Sequence, residues 1–168
     1  MLIRDELPTD HAAISAVIAA AFRDMPYSQQ TETYIIDALR RAGALTISLV
    51  AEEAGHIVGQ AAFSPIEIDG QPSDWYGLGP IAVAPERQGC GIGSALMEEG
   101  LGRLHGLGAD GCMLVGDPGW YHRFGFRNEP RLTLEGVPPE VFMILPLRGV
   151  IPQGMVAFHP AFAATAPV

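Results

Sequence analysis

The apolar positions of the chain first repeat with a helical period. Ile14, Val17, Ile18, Ala21 and Phe22 follow at i, i+3, i+4, i+7 and i+8, one apolar helical face. Pro8 and Asp10 make its entrance, because proline fits a first turn and an acid favours the dipole there. A second helix is expected from about Gln30 to Ala42, with Tyr34, Ile35, Ala38 and Leu39 inward. Asp24-Met25-Pro26-Tyr27 separates the two, since the residue before a proline avoids helical backbone. The pattern then turns β-rich. Leu45–Glu53 and His56–Ile68 flank Ala54-Gly55, a hairpin signal, and Asp69-Gly70 marks a second turn. Trp75–Val83 reads as a central strand ending at Ala84-Pro85, and Met1–Leu7 as a short edge strand. Helical spacing returns from Ser94 to about Leu107, with Leu96, Met97, Leu101 and Leu104 on the buried face. Gly111–Val115 is a short buried strand, and Asp117-Pro118 opens another helix. Val141–Leu147 is a late strand with Pro146 at its edge or end. Beyond Gly149 the chain is rich in Pro and Ala, and Met155–Phe158 is the last strand candidate. This is one α/β domain over 1–168, with its core at about 1–148 and a C-terminal strand and tail at 149–168.

Composition narrows the functional classes. A chain of 168 residues, 48% hydrophobic and 17% charged, supports one core and excludes wholesale disorder. Ten Lys and Arg against 19 Asp and Glu give a net charge of −9, which leaves little means of nucleic-acid binding by counterion release. An acidic surface weakly favours cationic substrates such as amines. Cys90 and Cys112 cannot build a disulfide framework, and the five histidines lack metal-ligand spacing, so no metal is expected. No run of 18 apolar residues is present, and the opening MLIRDELPTD lacks the apolar stretch of a signal peptide. A cytoplasmic protein with no membrane partner is expected.

The strongest chemical signal is Gln88-Gly89-Cys90-Gly91-Ile92-Gly93, placed between a strand and a helix. Glycine permits the sharp turn and removes the Cβ that would block a ligand. The helix N-terminus behind it presents unpaired N–H groups suited to phosphate. A Walker loop would need a Gly-Lys-Ser/Thr ending, and a Rossmann fingerprint a third glycine where Ser94 stands.

Ile81 to Ser94 resembles motif A of the GNAT N-acetyltransferase superfamily, Gln/Arg-x-x-Gly-x-Gly/Ala, through Gln88, Gly91 and Gly93. Trp120-Tyr121-His122-Arg123-Phe124-Gly125-Phe126 resembles the aromatic-Tyr-x-x-x-Gly-Phe segment of motif B. The resemblance covers about residues 1–148. It implies an α/β (α+β) fold with a mixed, mostly antiparallel central sheet, flanking helices and a splayed central strand pair. It implies acetyl-CoA as cosubstrate, with the backbone of Ile81, Ala82 and Val83 along the pantetheine arm. Gln88, Gly89, Cys90, Gly91, Ile92, Gly93 and Ser94 would then cradle the pyrophosphate, and Arg87 is either an outer phosphate ligand or a solvated cation.

By the same resemblance Tyr121 is the general acid for the departing thiolate. A glutamate that some relatives carry on the fourth strand falls at Gly77, and an asparagine before the tyrosine falls at Leu114. Both are departures from the family pattern. Glu67, Asp69 and Asp74 are the nearest acids, and Glu67 is the expected base through water because it alternates with Ile66 and Ile68. Asp117 is a helix N-cap, His122 a surface residue and Cys112 a buried small hydrophobe. The leading expectation is acetyl transfer to a primary amine of a small molecule or peptide, with a homodimer left open. A non-catalytic acyl-CoA-binding module and a nucleotide-phosphate-binding regulatory domain are the alternatives.

Overall fold

Both turn signals are used as hairpins. Ala54, Gly55, Asp69 and Gly70 all have positive φ, the backbone that tight hairpin turns demand. They join β2 (Ile47–Glu53), β3 (His56–Ile68) and β4 (Gln71–Val83) into an antiparallel meander, with β1 (Leu2–Asp5) on its edge. Strand β4 begins four residues before the apolar run. Its opening residues are largely exposed and are held by the ladder to Glu67 and Ile68 rather than by burial. The computed structural model describes residues 1–167; residue 168, the end of the expected tail, lies outside the described residues.

The main sheet runs β1-β2-β3-β4-β5-β7, where β5 (Gly111–Val115) is parallel to β4 and β7 (Phe142–Pro146) antiparallel to β5. Two strands lie off this path. β6 (Leu132–Thr133) has too few residues to show a period, and β8 (Gly154–Ala157) pairs with both β6 and the end of β3. The mixed, mostly antiparallel sheet expected from the sequence is the observed one.

Helices cover both faces. α1 (His11–Phe22) and α2 (Glu32–Arg41) bury Ile14, Val17, Ile18 and Ile36 against Val50, Ala62 and Ala82. α3 (Ile92–Gly106) buries Leu96, Met97 and Leu104 against Leu49, Phe63 and Leu78 on the opposite face, whereas Leu101 is only half-buried. Each such aliphatic side chain contributes about 1.5–3 kcal/mol. On α2 the fully buried residues are Ile36 and Leu39, while Tyr34, Ile35 and Ala38 are half-buried. α4 (Pro118–Tyr121) is a single turn, capped by the Asp117 carboxylate accepting from Gly119 N at 3.0 Å. Among the described residues no helix is long and apolar enough to cross a membrane.

Two features of this frame shape the site. β4 and β5 pair only from Trp75–Gly111 to Gly77–Met113, and then part. The β3–β4 register shifts at the same level, between Ala61 and Phe63 opposite Gly79-Pro80, where proline removes a ladder donor. The second feature is the C-terminal segment. After β8 a short turn, Pro160–Ala163, docks Ala161 against Leu39 and Ala44 beside α2. That leaves Phe158 and Phe162 stacked edge to face, centroids 5.2 Å apart.

Candidate functional site

Where β4 leaves β5 its backbone is left without a strand partner on that side. Ala84 N donates to Val58 O at 2.8 Å, and Ala82 stands opposite Gln60 in the same ladder. Antiparallel strands alternate the direction of their polar groups, so Ala82 and Ala84 face β3 while Ile81 and Val83 face the gap. The Val83 carbonyl accepts from Gln88 Nε2 at 3.0 Å, so Gln88 ties the strand end to the glycine loop. Ile81 keeps both its groups, and Val83 its N–H, for a ligand.

The glycine loop closes the far end. Gly89 and Gly91 have φ of +75° and +86°, which side-chain-bearing residues rarely adopt, and Gly91 is the N-cap of α3. No side chain caps this helix, so its first amides, at Ile92, Gly93 and Ser94, face out unpaired. Gly93 serves packing as well: a Cβ there would lie 3.2 Å from the Trp120 ring. The result is a groove of about 440 Å³ along Ile81–Val83, Gln88, Gly89 and Gly91–Ser94. Nine of the ten residues expected to hold the cofactor therefore line one groove. Cys90 does not; its side chain is exposed.

Three lining residues escaped the sequence reading: Met25, Trp120 and Arg123. Arg123 lies over the Trp120 ring, 5.6 Å from its centroid, and among the described residues it makes no ion pair. Arg87 also lines the groove, but its guanidinium is held by Glu53 at 2.8 and 2.9 Å. The free cation at this groove is thus Arg123. Its spacing three residues from Trp120, within the aromatic segment, was the available signal.

Tyr121 sits at the end of β5. Its ring meets Trp120 and Phe126 edge to face, at 4.8 and 6.2 Å, and covers Gly116, where any Cβ would collide with it. Burial pushes the phenol well above its usual value, with Tyr27, Cys112 and Asp117 adding to the rise, so it stays protonated. Tyr121 does not line the groove itself; it adjoins the fork from the β5 side.

The expected base is placed elsewhere. Glu67 is exposed, pairs with Pro72 and Ala157, and makes no side-chain hydrogen bond among the described residues. Three residues separate it from Ser64, the partner of Gly77 at which β4 and β5 begin to part, about 10 Å of strand rise on the side away from the groove. It also alternates with Ile66, whose side chain shares the face toward which a Gly77 Cβ would point, so Glu67 faces the other way. Glu67 is not at the fork. At Gly77 a Cβ would lie 2.7 and 2.8 Å from ring carbons of Phe158, so an aromatic ring occupies the space that a longer side chain would need. A second cavity of about 300 Å³ opens beside this ring, lined by Leu78, Gly79, Val115, Leu134, Phe158 and Phe162. Among the described residues no cluster of His, Cys, Asp or Glu could hold a metal ion.

Residues 45–128 match the family model described as an acetyltransferase (GNAT) domain. The Escherichia coli protein described as uncharacterized N-acetyltransferase YhbS is 37% identical over 127 residues, 75% of this chain and 73% of its own. The crystal structure of a GNAT family acetyltransferase from Brucella melitensis in complex with acetyl-CoA is 51% identical. It superposes with a TM-score of 0.86 over 96% of this chain and 97% of that one. The structure of Escherichia coli YhbS in complex with CoA is 32% identical, with a TM-score of 0.84 over 99% and 93% of the two chains.

Proposed function

The chain belongs to the GNAT acetyltransferase family, and from that premise we propose that it is a single-domain, cytoplasmic N-acetyltransferase using acetyl-CoA to acetylate a primary amine of a small molecule or peptide. The observation that carries this reading is the unpaired Ile81–Val83 edge leading into the Gly89–Ser94 loop. A polyamide arm can add to such an edge as a strand would, and the loop amides suit a pyrophosphate at its end. The Brucella melitensis relative, crystallised with acetyl-CoA, supports the same ligand here. Arg123 supplies a free positive charge for a phosphate, in a protein otherwise carrying a net −9.

Acetyl-CoA supplies a thioester carbonyl; the amine nitrogen bonds to it, the carbon–sulfur bond breaks, the amine loses a proton and the sulfur gains one. Tyr121 is assigned the sulfur's side of this exchange. Its phenol is held protonated by burial, so it donates a hydrogen bond to the sulfur and gives up the proton only as full thiolate charge develops in the same desolvated place. No carboxylate stands at position 77 of β4 to receive the amine's proton, because Gly77 lies under Phe158. The amine therefore enters neutral or loses its proton to water, which its ordinary pKa of about 10 permits for a small fraction at neutral pH.

The same missing carboxylate favours a second reading, a non-catalytic acyl-CoA-binding module. CoA release measured with a panel of amines separates the two. Calorimetric titration tests the site itself: Gly91→Val should weaken acetyl-CoA binding at least about 100-fold through backbone strain, and Arg123→Ala about 10-fold. Unchanged affinity in a folded Gly91→Val protein overturns the assignment.

A further inference from the structure

The second cavity lies where β4 and β5 begin to part. Leu78 and Gly79 stand immediately past the last β4–β5 pair, and Val115 ends β5. The groove occupies the far end of the same gap, at Ile81–Val83, so the cavity and groove meet β4 two residues apart. Gly79 presents its bare face to Phe162, since a Cβ would lie 3.2 Å from that ring. Phe158 and Phe162 form one wall, and they are fixed from both ends. β8 holds the segment to β3, and Ala161 holds it to Leu39 and Ala44.

The chemistry of the wall is selective. All six lining residues are apolar or glycine, although the chain as a whole is strongly acidic. A carboxylate or second ammonium placed there would lose water and find no side chain of opposite charge. A peptide finds no free edge on β8, because that strand is paired with β3 on one side and β6 on the other. At about 300 Å³ the cavity has the size of a small-ligand pocket. Resting on the acetyltransferase reading, we propose that this cavity is the acceptor pocket and that it takes a small monoamine with an aromatic or otherwise apolar body. Phe162 and Leu134 set this preference by contact with that body, while the amino group points into the gap toward the groove.

The test uses the full chain. Acetyl-CoA binding is first measured by calorimetry, then CoA release with 2-phenylethylamine, ethanolamine, putrescine and an alanyl dipeptide. Burying one aromatic body predicts kcat/KM for 2-phenylethylamine about 10- to 100-fold above each of the others. Phe162→Ala should collapse the ratio of 2-phenylethylamine to ethanolamine toward unity, and Phe162→Leu should restore part of it. Leu134→Trp, which fills the cavity, should raise KM for 2-phenylethylamine with acetyl-CoA affinity unchanged. These are ratios within one protein preparation, so partial unfolding of a variant does not imitate them. Preference for putrescine or the dipeptide, or no turnover of 2-phenylethylamine above ethanolamine, overturns the pocket, while CoA release with any of the four amines upholds the enzyme. Failure of acetyl-CoA to bind overturns both.

Discussion

Gly77→Ala isolates the contact between β4 and the C-terminal segment. The new Cβ would stand 2.7 and 2.8 Å from Phe158 ring carbons and 3.1 Å from Ile66 Cδ1. Carbon atoms pack at about 3.5–4.0 Å, so the ring must retreat by roughly 0.8 Å. It rests on Phe162 at 5.2 Å and follows directly on β8, so a retreat into the adjoining cavity gives up that ring contact. Overpacking of this kind costs about 1–3 kcal/mol, against a gain of up to about 1 kcal/mol from stiffening the unfolded chain at an extended position. A net loss of about 1–2 kcal/mol is expected for Gly77→Ala. In a Phe158→Ala background the obstacle is gone, and the same substitution should be neutral or stabilising by up to about 1 kcal/mol. Urea unfolding of the four proteins of this cycle should give a coupling of about 2 kcal/mol. Additivity to within about 0.5 kcal/mol would refute the claim that Phe158 fills the space over Gly77. The functional counterpart is Gly77→Glu, which should be tolerated only alongside Phe158→Ala.

Tyr121→Phe should lower kcat by about 10²- to 10⁴-fold with acetyl-CoA affinity unchanged. Because burial raises the phenol, the wild-type rate should keep rising as the amine deprotonates near pH 10. A downturn at the ordinary phenol value that disappears in Tyr121→Phe would contradict this. Gly116→Ala should displace the Tyr121 ring and reduce kcat, again without touching the cofactor; wild-type turnover in that protein would dissociate Gly116 from the tyrosine's placement. Glu67→Gln should leave kcat/KM within about twofold of wild type, and a tenfold loss at unchanged melting temperature would return Glu67 to the mechanism. Asp10, nearly buried, accepts from Leu7 N at 2.7 Å and from Arg4 at 2.7 and 3.1 Å, which holds its carboxyl below the usual range. Its stabilisation is therefore full above the unfolded carboxylate pKa of about 3.9 and is lost as pH falls through the lower folded value. Asp10→Asn should cost about 1 kcal/mol at pH 7, with the difference shrinking in acid; a pH-independent difference down to pH 3 would refute it.

What the sequence determined by itself is whatever depends on near neighbours along the chain. The Ala54-Gly55 and Asp69-Gly70 hairpins, the helical faces of α1 and α3, and the glycine loop at Gly89–Gly93 are set by backbone preference and short-range period, and all were legible. So was the family, since its two motifs are short runs of such residues. What only the tertiary structure decided depends on register between distant segments. Glu67 has the right spacing for a cleft-facing acid, yet the β3–β4 ladder puts it at the wrong end and on the wrong face. Arg87 reads as either a phosphate ligand or a solvated cation, until Glu53, 34 residues away, takes it, and the cation left at the groove is Arg123 over Trp120. The empty place at Gly77 looked like a lost carboxylate, and Phe158, 81 positions later, fills it. Hydrophobic pattern says that such side chains are buried; it does not say which other side chain each will meet, because strand pairing and helix docking bring together residues with no local relation.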